Sequence, residues 1–382
     1  MRTRQLYYED SYAKSFTAFV IECLPANGAY KIVLNQTAFF PEGGGQACDE
    51  GFLNGVRVFD VQIEDDEIIH YCESEIKPGT EVRGEIDWDK RFLLMQQHSG
   101  EHLVSGIINA RYGWNNVGFH MGKDCITIDF SGFIPPEDIP SIEYAANEAV
   151  WQNIKTEIIC PNDDEISQFN YRSKKEIDGQ IRLVNFAGID LCACCGLHVA
   201  QTGEIGLIKL LTSTKFHDGV RIEMMCGKQA LDYVNAVCEQ NHQNSVLLSA
   251  KPLETSEAVR HLLEDRDNTV LSLSKTEARL YELIARRYEG LKDCLVFENG
   301  LSSEGVRKIA DYLLECAEGR CAVFSGDDKN GYRYAIGIKD GDLREFTKTM
   351  NAALQGRGGG KPQFVQGTLS ASRSDIEAFF AR

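Results

Sequence analysis

Val82-Arg83-Gly84-Glu85-Ile86, then Asp87-Trp88-Asp89-Lys90-Arg91, then His98-Ser99-Gly100-Glu101-His102: along this stretch one periodicity gives way to another. The first segment follows the Pro78-Gly79 turn and alternates like a short strand. Asp89 has the side chain of an N-cap, and the spacing predicts a helix from Lys90 to about Ala110, stopping near Gly113. On that helix His98 and His102 stand four apart, on one face and about 5–6 Å apart at Cβ, where one ion can bridge them.

Toward the N-terminus the sequence is β-rich. Phe59-Asp60-Val61-Gln62-Ile63 alternates, Glu64-Asp65-Asp66 makes a charged turn, and Ile68-Ile69-His70-Tyr71 resumes. Short strands with frequent turns predict a small β-barrel over residues 1–88. Toward the C-terminus, Cys125-Ile126-Thr127-Ile128-Asp129-Phe130 reads as a strand and residues 142–150 as a helix. Ile181-Arg182-Leu183-Val184 and Ile205-Gly206-Leu207-Ile208 read as strands, which makes residues 89–227 an α+β domain. Helix formers dominate residues 228–293, with Leu273, Leu280, Ile284 and Leu291 at helical spacing and Pro252 in a break, the pattern of a helical hairpin. Residues 294–382 return to strand–helix alternation, an α/β tail that carries Gly356-Arg357-Gly358-Gly359-Gly360-Lys361.

At 382 residues the chain is long enough for two or three domains, and its 43% hydrophobic and 25% charged content is that of a globular protein. No apolar run approaches the roughly 20 residues that span a bilayer. The start, Met1-Arg2-Thr3-Arg4-Gln5-Leu6, has no apolar signal core, so the expected location is the cytoplasm. Thirteen cysteines, an odd number without an export signal, point to free thiols and a metal site rather than a disulfide framework. A net charge of −17 excludes non-specific coating of nucleic acid, though not a local basic patch that grips phosphates.

A partner for the two histidines lies in Asp190-Leu191-Cys192-Ala193-Cys194-Cys195-Gly196-Leu197-His198. Cys194 and His198 have Cys-x-x-x-His spacing, and Gly196 lets the loop turn back. Three imidazoles and one thiolate suit zinc. Spacing alone leaves Cys192 and Cys195 as rivals for the thiolate. His98-Ser99-Gly100-Glu101-His102 is also an H-x-x-E-H string, the signature of inverted zinc proteases with Glu101 as general base. Those enzymes complete their site with a carboxylate, so a Cys-x-x-x-His partner weighs against them. Glu101 is read instead as a solvated helix residue beside the histidine stripe.

With these residues assembled, the chain resembles the AlaX family of trans-acting alanyl-tRNA editing proteins and the editing region of alanyl-tRNA synthetase. Thr37-Ala38-Phe39-Phe40-Pro41-Glu42-Gly43-Gly44-Gly45-Gln46 is similar to the family's glycine-rich motif, and Asp87 through His102 to its joint between barrel and zinc helix. Asp190 through His198, followed by Thr202-Gly203-Glu204-Ile205-Gly206, resembles its second zinc motif; Gly219-Val220-Arg221-Ile222-Glu223 resembles its closing strand. Residues 356–361 with Gln366-Gly367 resemble the DHH-associated domain at the end of the synthetase. Where the family has Cys-Gly-Gly-Thr-His, this chain has Cys194-Cys195-Gly196-Leu197-His198, which keeps the ligands and leaves the amino-acid preference open.

The resemblance implies a zinc-dependent deacylase that hydrolyses tRNA(Ala) mischarged with serine or glycine, with Cys194 as the thiolate beside His98, His102 and His198. Such an enzyme is needed because a pocket shaped for alanine rejects glycine by only about 1–3 kcal/mol and excludes serine poorly. Zinc binds the substrate amine or activates water. Asp190 orients a ligand or the amine, His120 lines the pocket, and Thr37 and Gln46 contact the substrate. Gly43-Gly44-Gly45-Gln46 contains the tripeptide of release factors, and is read as a tight turn anchoring the barrel to the editing domain. Arg357, Gly358, Gly359, Gly360 and Lys361 offer amides and cations to tRNA phosphates. With no aminoacylation domain before the barrel the chain is expected to act in trans, and with no Asp-His-His motif its tail binds tRNA or joins two copies as a homodimer. A zinc protease and a non-catalytic tRNA-binding regulator are the competing classes.

Overall fold

The alternation of Glu81–Ile86 buries Val82, Gly84 and Ile86 and exposes the residues between, because this strand closes a barrel. The computed structural model describes residues 3–26, 28–162, 164–173 and 181–381. The chain divides into two compact units, Met1–His242 and Gln243–Arg382.

In the first unit the barrel runs in the order Ser15–Ala26, Ala29–Leu34, Glu67–Cys72, Val56–Glu64, Gly51–Leu53, Glu81–Ile86, with antiparallel pairing throughout. Its core holds Phe16, Ala18, Val20, Ile32, Leu34, Val58, Val61 and Ile68. One histidine is sealed inside. His70 gives its Nδ1 proton to the Ile32 carbonyl at 3.0 Å, and its Nε2 accepts from the Thr37 hydroxyl at 2.8 Å. Burial holds its pKa down at about 4, so it is neutral.

The helix after the barrel begins two residues before its expected start. Asp87, not Asp89, is the N-cap and accepts from the Lys90 N–H at 3.1 Å; Asp89 falls in the first turn, where its charge faces the positive end of the helix. Trp88–Tyr112 then ends on Gly113, at φ 75°. Arg91, fully buried, pairs in bidentate fashion with the equally buried Asp49 and donates to the carbonyls of Ser11 (2.9 Å) and Ala38 (2.6 Å). Removing one partner of such a pair costs about 3–5 kcal/mol, so the helix base is firmly bound to the barrel.

Around the helix stand a four-stranded sheet (Ile208–Phe216, Gly219–Cys226, Ile126–Phe130, Asn116–Met121) and a three-stranded one (Thr156–Ile159, Leu183–Phe186, Asp190–Ala193). Ile139–Trp151 packs on the same helix. The approach to the second sheet depends on Gly106, where a Cβ would lie 2.5 Å from the Ile189 carbonyl and 2.7 Å from Asp190 Cβ. Thr202–Ile205 is a short 3-10 turn, and the strand expected from residue 205 starts at Ile208.

The second unit has a five-stranded sheet in the order Lys292–Phe297, Glu318–Asp327, Gly331–Ile338, Phe364–Leu369, Arg357–Lys361, of which the first pair is parallel. The glycine run is therefore an edge strand rather than a loop. A Cβ at Gly358 would meet the Gln366 carbonyl at 2.3 Å, so only glycine permits this pairing. The two long helices are Gly227–Leu248, within which the boundary between the units falls, and Thr255–Arg286, with Pro252 between them. Among the described residues no helix is long and apolar enough to cross a membrane.

Candidate metal centre

His98 and His102 project from the buried side of the helix, and the loop after Asp190–Ala193 brings Cys194 and His198 to them. The candidate ligand atoms of these four residues all lie within 4.8 Å of one another. The loop reaches so far in because position 196 is glycine: a Cβ there would lie 2.1 Å from His98 Cε1. Arg182 braces the loop from outside, donating to the carbonyls of Cys194 (2.8 Å) and Gly196 (3.0 Å), while the Tyr8 hydroxyl donates to that of Cys195 at 2.8 Å.

Each imidazole is held by its Nδ1. His98 Nδ1 meets Gln46 Oε1 at 3.0 Å, His102 Nδ1 meets Asp190 Oδ2 at 2.9 Å, and His198 Nδ1 meets Ser99 Oγ at 3.2 Å. Gln46 Oε1 also accepts from the Leu197 N–H, and as an amide oxygen it accepts from His98, as the Asp190 carboxylate accepts from His102; Ser99 Oγ, which accepts from the Val199 N–H, pairs with His198 Nδ1 through either its own proton or a lone pair. The Nδ1 atoms of His98 and His102 therefore carry protons, and Nε2 of all three rings turns inward. His98 Nε2 faces Cys194 Sγ at 3.4 Å, whereas Nε2 of His102 and of His198 are buried with no hydrogen-bond partner. A buried polar atom left so costs about 1–3 kcal/mol, and a metal ion would relieve two of them at once.

Charge points the same way. Burial opposes ionisation of Cys194, but the positive field of His98 and the close approach of the three imidazoles outweigh it and hold the thiol well below its usual range. Burial, then the charge on His98, push His198 well below the usual imidazole range, so it is neutral. Burial also works against a charge on His102, yet Asp190 and Cys194 on either side raise its pKa to about 9. The cluster thus attracts one positive charge between two anions. Three imidazoles, each held at Nδ1, and one thiolate fit a tetrahedral zinc or a similar borderline-soft ion.

Of the rival thiols, Cys192 lies with His102 and Asp190 rather than with the four, and burial raises its pKa to about 12; Cys195 is exposed. Glu101 is not a solvated helix residue. It is 0% exposed, and its Oε1 accepts from Ser105 Oγ at 2.6 Å and Asn116 Nδ2 at 2.5 Å. Thr37 is turned into the barrel toward His70, and His120 is exposed on the Asn116–Met121 strand, so neither is brought to the four ligands. Gln46 and Asp190 are brought there, as holders of imidazoles; Gln46 Nε2 remains buried without a partner. Ser99, Arg172, Arg182 and Phe119, which stacks on His98 at 5.2 Å, were not singled out in the sequence. Arg357 and Lys361 are exposed on the edge strand of the other unit.

A cavity of about 440 Å³ opens on His102 and Cys194, walled by Gly44, Gly45, Phe119 and the strand end at Cys192 and Ala193. That volume suits a small esterified group, not a folded macromolecule.

Comparison with known proteins agrees with this geometry. Residues 5–90 match the family model for class II (A) tRNA synthetases, residues 181–223 the threonyl and alanyl tRNA synthetase second additional domain, and residues 290–382 the DHHA1 domain. The chain is 28% identical to alanyl-tRNA editing protein Aarsd1-B of Xenopus laevis, covering 98% of this chain and 96% of that one. It is 27% identical to alanyl-tRNA editing protein Aarsd1 of Danio rerio, over 97% and 95%. It is 32% identical to the alanine–tRNA ligase of Pyrobaculum aerophilum over 97% of its own length but spans only 43% of that enzyme. The chain is thus similar to the alanyl-tRNA editing proteins along nearly their whole length, with synthetase-type domains in the same order.

Proposed function

We propose that this protein is a zinc-dependent deacylase that hydrolyses the ester of tRNA(Ala) mischarged with serine or glycine. The observation that carries the reading is the set of three buried imidazoles, each fixed through Nδ1, whose Nε2 atoms converge with a thiolate beside a small cavity. His98, His102, Cys194 and His198 hold the ion. Bound there, zinc supplies Lewis-acid polarisation or lowers the pKa of water. Gln46 keeps His98 in register, and its unpartnered Nε2 is a donor for an oxygen of the substrate. Phe119 and the Gly44-Gly45 turn exclude water and bulkier acyl groups from the cavity.

The H-x-x-E-H protease reading loses support, because Cys194 and His198, not a carboxylate, stand with His98 and His102, and one Glu101 oxygen is taken by two donors. The division of residues 1–88, 89–227, 228–293 and 294–382 into barrel, editing domain, helical linker and tail belongs to this proposal. So does the tail's part in binding tRNA and pairing two copies, for which the exposed Arg357 and Lys361 on an edge strand are the support.

The test is hydrolysis of tRNA(Ala) carrying serine, glycine or alanine by the whole chain. Serine or glycine is expected to be released well ahead of alanine. Binding without release makes the protein a regulator, and cleavage of peptide but not ester makes it a protease.

A further inference from the structure

Asp190 has two claimants. Its Oδ2 accepts from His102 Nδ1 at 2.9 Å, and the Arg172 guanidinium grips both oxygens, Nε on Oδ1 at 2.7 Å and an Nη on Oδ2 at 2.9 Å. The Asp190 side chain is 1% exposed and that of Arg172 only 11%. The backbone of Arg172 is fixed as well: its N–H donates to the Leu191 carbonyl at 2.8 Å, and its carbonyl accepts from the Ala193 N–H at 2.9 Å. Main chain and side chain thus grip the strand that delivers the carboxylate.

We propose that Arg172 is a positioning residue of the metal centre, acting on His102 through Asp190. A carboxylate held only by one imidazole can rotate about its own axis and let the ring swing. A planar fork that takes both oxygens removes that freedom, and the ring's Nε2 is then aimed at the ion. Lysine cannot replace it: a single ammonium supplies the charge without the two-point geometry.

The inference rests on the zinc reading of the cluster, and its test separates the two. Zinc affinity is measured by competition with a chromophoric chelator for the whole chain, Arg172→Lys, Arg172→Met, Asp190→Asn and the double variant Arg172→Met/Asp190→Asn. Cobalt(II) spectra of each report the ligand geometry. Each single change is expected to weaken zinc about 10–100-fold and shift the cobalt bands, with lysine restoring little. The double variant should bind no more weakly than Asp190→Asn alone, because the arginine acts only through that carboxylate. Unchanged affinity in both arginine variants, or losses that multiply in the double, would overturn the proposal. Should Arg172→Met fail to fold, Arg172→Lys, which keeps the charge, decides by the same criterion. If the unaltered chain binds no zinc, the metal reading itself fails.

Discussion

His70 in the barrel and the histidines beside Cys194 are all withdrawn from water, yet their surroundings differ in one respect. The barrel satisfies both nitrogens of His70, from Ile32 and Thr37. The helix and loop give Nδ1 of His98, His102 and His198 a partner each, but leave Nε2 of His102 and of His198 without a hydrogen bond, while Nε2 of His98 meets only Cys194. A buried ring with two protein partners is a structural element. A buried ring with one partner, twice over and beside a thiolate, awaits something else.

The largest expected effect lies on the open side of that contrast. Cys194→Ala removes the one anionic ligand, and zinc affinity should fall by more than about 100-fold, beyond the range of changes outside the ligand set. Ester hydrolysis should fall with it, while His70→Gln keeps full zinc. Elemental analysis of the two variants checks this; full zinc in Cys194→Ala would erase the distinction between the two regions.

The closed side has its own signature, in acid. Folded His70 stays neutral down to about pH 4, whereas the unfolded chain takes up that proton near 6.5. Its stability contribution is therefore present above pH 6.5 and is lost as the pH falls from there to 4, in total about 3 kcal/mol. Urea unfolding across that range should show a shallower loss in His70→Gln than in the unaltered chain. Parallel profiles would mean that the barrel gives His70 a proton at no penalty.

A smaller effect sharpens the comparison. Ser99→Ala takes the hydrogen-bond partner from His198 Nδ1 without touching a ligand, and zinc affinity should drop by about 10-fold. Chelator competition measures it, and an unaltered affinity would show that the orientation of His198 is set by packing alone.

Spacing made the three histidines and a cysteine loop legible as candidates, since i,i+4 on a helix and Cys-x-x-x-His in a loop are local patterns, whereas the choice of Cys194 over Cys192 and Cys195 came from the resemblance. The strand-to-helix change near residue 88 was equally local, although the cap proved to be Asp87. What holds the rings was not legible in the same way. Gln46 meets His98 across 52 positions and Ser99 meets His198 across 99, and no periodicity reports such pairs. Glu101 was misread because a polar residue at a helix position carries no sign of the Asn116 that reaches it from the next strand. The glycine run was legible as composition only; that it pairs with Phe364–Leu369 follows from a close backbone approach at Gly358.

The central claim, that this cluster is a zinc centre that hydrolyses misacylated tRNA(Ala), is tested most directly by one titration. Seryl-tRNA(Ala) hydrolysis is followed on the whole chain after exhaustive chelation and then with zinc returned stepwise. The account predicts negligible release without metal and activity that rises linearly to a break at one zinc per chain. Full activity in the chelated protein, with no zinc left by elemental analysis, would contradict it.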